Sequence, residues 1–119
     1  MIYSFYISTP KNTTKADRQQ TTLKLSKGVI YKIEIMFPPG NGGTLHLGLR
    51  EGLHQVWPSN PDEYFFGDNR LISFPEYYPI VSEPYTLIAE TWNESLNNAH
   101  ILSITIGVLP RKHVVRRII

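Results

Sequence analysis

The chain predicts an all-β fold, a two-sheet antiparallel sandwich of about eight strands with jelly-roll or Greek-key connections. Three observations carry this. Val29, Tyr31, Ile33, Ile35 and Phe37 alternate with Ile30, Lys32, Glu34 and Met36, and Leu45, Leu47 and Leu49 resume the alternation against Thr44, His46 and Gly48. Successive β side chains point to opposite faces, so a period of two makes one face apolar and leaves the other partly wet. Proline, glycine or β-branched residues interrupt every candidate amphipathic helix longer than a turn or two. Finally, long connections rich in Pro, Asn, Asp and Gly separate the extended runs, which favours Greek-key crossings over a simple meander, with a partly closed barrel as the nearest competitor.

The runs fall at about 2–8, 21–26, 28–37, 44–50, 53–57, 70–74, 84–92 and 99–109. Residues 9–20, polar and without apolar period, read as an exposed loop or arm. Ser26-Lys27-Gly28 and Arg50-Glu51-Gly52 read as tight turns. Residues 29–49 read as a hairpin broken at Pro38-Pro39-Gly40-Asn41-Gly42-Gly43, a turn needing positive φ rather than a phosphate-cradling loop. Two further loops are expected, at 58–67 and at 75–84, where Pro75, Pro79 and Pro84 surround Tyr77 and Tyr78. The last strand alternates His100, Leu102, Ile104, Ile106 and Val108 with Ile101, Ser103, Thr105 and Gly107, and Pro110 ends it.

At 119 residues with 41% apolar content, one domain spanning 1–119 is expected. With no cysteine, disulfides, thiol nucleophiles and thiolate metal sites drop out, and stability must come from burial at roughly 25 cal/mol per Å2. Met1 to Ile7 lack the pattern of a secretory signal and read as a first strand. No apolar run approaches the ~20 residues of a membrane-crossing helix, so a soluble cytosolic product is expected. Net charge is +2 but unevenly placed: residues 1–59 hold seven Lys/Arg against three Asp/Glu, 60–94 one against seven, and 95–119 four against none. Unlike patches would suit head-to-tail self-contact if the segregation survives folding; solvated loops are the plain alternative.

Catalytic signals are weak. The histidines at 46, 54, 100 and 113 lack ligand spacing. Asn60, Asp62, Glu63, Asp68 and Asn69 offer oxygen ligands without an EF-hand pattern, and turn capping explains them equally. Glu90 and Glu94 are possible paired carboxylates whose placement the sequence leaves open. No Gly-x-Ser-x-Gly elbow occurs. An enzyme is therefore not expected, and no metal or cofactor is assigned. Trp57, Tyr64, Phe65, Phe66, Tyr77, Tyr78 and Trp92, with acids such as Glu94 nearby, are candidates for a sugar-stacking platform, for a subunit interface or for core plugs. Beyond the last strand, 111–119 form a basic arm in which Arg111, Arg116 and Arg117 are candidate contacts. They would dock on an acidic neighbour or add a strand to its sheet edge, with nucleic acid the less favoured partner.

The series from Gly28 to Gly40, then His54-Gln55-Val56-Trp57-Pro58-Ser59-Asn60, Glu83-Pro84-Tyr85-Thr86-Leu87, Trp92-Asn93 and His100 resembles small virion-associated β-sandwich proteins of tailed bacteriophages over about residues 28–110. The resemblance implies a capsid or tail component of decoration, vertex or adaptor type, made in the host cytoplasm and resident in the virion. Its partners would be other virion proteins and copies of itself in a homo-oligomer or coat lattice. A lectin-like carbohydrate module using the loop aromatics is the alternative expectation.

Overall fold

A computed structural model of the chain describes residues 1–110, which form nine strands: β1 (Ile2–Thr9), β2 (Gln19–Lys24), β3 (Gly28–Phe37), β4 (Leu45–Glu51), β5 (His54–Trp57), β6 (Phe65–Phe66), β7 (Arg70–Ile80), β8 (Thr86–Asn93) and β9 (His100–Leu109), with a 3-10 turn at Lys15–Asp17. One sheet has the order β1-β9-β3-β7 and the other β2-β8-β4-β5, with β6 joining β4 beside β5. All neighbours are antiparallel. Apart from β6, the chain is one long ribbon folded back on itself: β1 pairs with β9, β2 with β8, β3 with β7 and β4 with β5. Rolling that ribbon brings β3 against β9 and β4 against β8. This is jelly-roll winding, the two-sheet sandwich the alternation predicts.

The hairpin expected over 29–49 does not form, because β3 and β4 lie in opposite sheets and the glycine-rich turn carries the chain across the sandwich. Alternation says which face of each strand is apolar but not which strand lies beside it. Gly40, Gly42 and Gly43 do have positive φ. The Asp68 carboxylate accepts from the N–H groups of Gly40 (2.8 Å) and Gly42 (3.3 Å), and Asn41 Oδ1 accepts from Gly43 N–H at 2.7 Å. The turn at Ser26-Lys27-Gly28 likewise crosses between sheets, whereas Gly52 with Leu53 closes a true hairpin between β4 and β5.

The expected loop at 75–84 is strand as far as Ile80. β7 is a sheet edge, where a missing proline N–H breaks no ladder, so Pro75 and Pro79 fit there. The polar segment 9–20 is docked rather than free: Asn12 and Thr13 N–H donate to the carbonyls of Ser95 (2.7 Å) and Asn93 (2.8 Å). The basic arm 111–119 lies outside the described residues.

The core between the sheets comes largely from the alternating positions, among them Ile33, Ile35 and Phe37 of β3, Leu45, Leu47 and Leu49 of β4, and Leu102, Ile104 and Ile106 of β9. A register shift between Ile30 and Lys32 breaks the phase of β3, so that Ile30 rather than Tyr31 enters the core. Cross-sheet polar ties close one end. Trp57 Nε1 donates to Glu76 Oε2 at 2.9 Å, and the Tyr78 hydroxyl donates to the Glu51 carboxylate. Burial and that hydrogen bond push Tyr78 up to about 12. The Trp57 bond, followed by the Tyr77 backbone N–H, lowers Glu76.

Candidate functional site

With the core on the inner faces, function falls to the two outer faces. On the β2-β8-β4-β5 sheet, the register aligns Gln20, Glu90 and Gly48 in one row and Trp92, His46 and Phe66 in the next. Glu90 is only 7% exposed although it points away from the core, because two guanidinium groups cover it. Arg18 Nε donates to its Oε2 at 2.8 Å, and Arg50 Nε stands 3.4 Å from the same oxygen. The Glu90 hydrogen bond raises Arg18 against the opposing effect of burial.

Tyr64 lies over Gly48, and the fit depends on glycine: a Cβ there would meet Cδ2 and Cε2 of the ring at 2.7 Å. Its edge meets Trp92, with centroids 4.6 Å apart, and Lys15 Nζ stands 5.1 Å from the ring centre. Burial, then the charge of Glu90, raises the Tyr64 phenol. Gln55 holds the loop that delivers Tyr64, its Nε2 donating to the carbonyls of Pro58 (2.8 Å) and Glu63 (3.0 Å). Beyond Tyr64, His46 stacks on Trp92 at 4.5 Å, and its Nε2 is 3.1 Å from Glu94 Oε1. Burial lowers His46 more than Glu94 raises it, so the ring favours its neutral form.

The outer face of the other sheet differs in character. Tyr6, Ser103, Met36 and Leu71 form a row across all four strands. Tyr6 is 78% exposed, Leu71 60%, and neighbouring Ile101 56%. Tyr6, Met36, Pro38, Pro39 and Ile101 surround a hollow of about 350 Å3.

The expected aromatic platform is not one site. Trp57 points into the core at 3% exposure, with Phe74 and Tyr78 against it, whereas Trp92 faces outward on the other side of its sheet, 6% exposed beneath His46 and Tyr64. Tyr77 is exposed on β7, away from both clusters, and Arg111, Arg116 and Arg117 lie outside the described residues. Glu90 and Glu94 do not act as a free pair, since Glu90 is held by the arginines and Glu94 by His46. Asp68 caps the glycine turn. Among the described residues, no three His, Cys, Asp or Glu side chains gather as cation ligands.

Arg18 and Arg50 escape a reading of the sequence because they come from separate strand ends and meet only across β8. The available signal was Glu90, a lone acid in the otherwise uncharged run 84–92, together with arginine on the polar face of β4. The charge segregation along the chain does not survive here: Arg18 and Arg50, from the basic first half, are neutralised in part by Glu90 from the acidic middle. No protein-family model matches the chain, and no curated protein matches it in sequence.

Proposed function

We propose that the chain is a structural assembly protein of a virus particle, capsid or tail associated, which acts by subunit-to-subunit contact rather than by turnover. The observation that carries this is the cluster of Tyr6, Leu71 and Ile101, each more than half exposed, around Met36 on the β1-β9-β3-β7 face. Large exposed apolar side chains that gather on one face mark interaction surfaces. The resemblance over 28–110 adds support. The jelly roll is compatible with it, since viral coat and lectin domains both use this winding, and fold alone decides neither.

Magnitude sets how such a face works. Burying what is still exposed of Ile2 (63%), Tyr6 (78%), Leu71 (60%) and Ile101 (56%) would contribute on the order of 4–8 kcal/mol, at the low end of the ~4–15 kcal/mol lost in association. A single contact of this size is weak, and a ring or lattice that repeats it gains by avidity. On this reading the partners are copies of the chain and other virion proteins.

The test is the variant Tyr6→Glu/Leu71→Glu, which changes only outward-facing positions. The parent chain should form oligomers at micromolar concentration in mass photometry or sedimentation. The variant should keep its melting temperature and fall to monomer. A parent that stays monomeric both alone and with particle shells, or oligomers indifferent to the two charges, would overturn the proposal.

A further inference from the structure

The opposite face carries a second, independent feature. Beneath the 58–64 loop lie two neighbouring hollows of about 300 and 200 Å3, both lined by Asp62 and Tyr64. The larger stands at the lower end of the size range of small-ligand sites, roughly 300–1,000 Å3. The Arg18–Glu90–Arg50 cluster lines the larger, and Phe66, 52% exposed, lines the smaller.

We propose that this trench across the β2-β8-β4-β5 face binds a neutral oligosaccharide, with the Glu90 cluster and Gln20 supplying hydrogen bonds and Tyr64 and Phe66 the apolar walls. Charge selects the ligand class. Lys15, Arg18 and Arg50 are matched by Asp62, Glu63 and Glu90, so the lining has no net charge to attract an anion or a cation. Yet it is dense in donors and acceptors beside aromatic carbon, the mixture that a sugar ring, with hydroxyls at its rim and C–H groups on its faces, complements.

Preorganisation points the same way. Glu90 Oε2 accepts from Arg18 Nε and stands 3.4 Å from Arg50 Nε, Arg18 Nη1 donates to the Lys15 carbonyl at 2.8 Å, and Arg50 Nη1 donates to the Gly52 carbonyl. Both anchored arginines line the larger hollow. Ordering such long side chains before binding lowers the entropy lost when a ligand arrives. The glycine at 48 serves the same end, because only its missing side chain lets Tyr64 lie down as a wall.

The test presents the full chain to an array of neutral and acidic oligosaccharides and titrates the best neutral ligand by calorimetry. Binding to a neutral glycan, little altered by 0.5 M salt, is expected. It should weaken at least tenfold in Gln20→Ala and in Phe66→Ala, both exposed positions whose replacement leaves the melting temperature unchanged. Binding should persist in Tyr6→Glu/Leu71→Glu, which separates it from the assembly face. The proposal is overturned if no neutral glycan is held at millimolar concentration, if only acidic glycans bind and salt abolishes that, if Gln20→Ala and Phe66→Ala bind as the parent does, or if cross-linking finds a second copy seated in the trench.

Discussion

Gly48→Ala is a small substitution with a large expected effect. In an ordinary strand, replacing glycine by alanine gains roughly 0.5–1 kcal/mol by restricting the unfolded chain. Here the new Cβ would lie 2.7 Å from two carbons of the Tyr64 ring, closer than any van der Waals contact allows. The ring cannot simply rise, because its edge packs on Trp92 at 4.6 Å. Overpacking of this kind costs roughly 1–3 kcal/mol, and surrender of the aromatic pair about 0.5–1.5 more. The net expectation is destabilisation by about 0.5–4 kcal/mol, centred on ~2, or on the order of 8 °C in melting temperature.

A double-mutant cycle isolates the cause. With Tyr64→Ala the obstacle is gone, and adding Gly48→Ala should then be neutral or slightly stabilising, giving a coupling energy above about 1 kcal/mol. Urea unfolding of the parent, both single variants and the double supplies all four free energies. If Gly48→Ala costs the same with and without the Tyr64 ring, the glycine does not exist to seat that ring, and the account of the trench wall falls with it.

Two further outcomes probe the core and the pH response. Ile33→Asp should abolish cooperative unfolding, since an unpaired charge at this fully buried position costs several kcal/mol, close to the whole stability of such a domain; a near-parental melting temperature would mean the wrong face of β3 was placed inside. Because burial lowers His46 in the folded state, the unfolded chain takes up the proton first as pH falls. Stability present above the ordinary histidine pKa of about 6.5 should therefore be lost progressively as pH falls towards the lower folded-state value. His46→Phe, which keeps an aromatic ring on Trp92, should flatten that part of the profile, and an unchanged slope would assign it to other groups.

If the chain assembles as proposed, its two outer faces divide the labour. An apolar row on one sheet suits attachment, and the polar trench on the other would then face outward, available to glycans around the particle. Their independence follows from alternation: no side chain serves both an outer face and the core, so either surface can change without disturbing the packing between them.

The amino-acid sequence by itself determined the all-β class and much of the core, because a period of two in β3, β4 and β9 assigns Ile33, Ile35, Leu45, Leu47, Leu49, Leu102, Ile104 and Ile106 to the buried side wherever their strands go. It also determined the glycine turn at 40–43, whose backbone requirement is local. Strand partnership was decided only in three dimensions: the 38–44 connection spans two sheets instead of closing a hairpin, and Pro75 and Pro79 lie in a strand because that strand is an edge. The same holds for the trench. Arg18, Arg50 and Glu90 are remote in sequence, and each alone looks like an ordinary surface charge; the rolled ribbon lays β2, β8 and β4 side by side, and the low-dielectric sheet surface beneath them turns three separate charges into one fixed cluster.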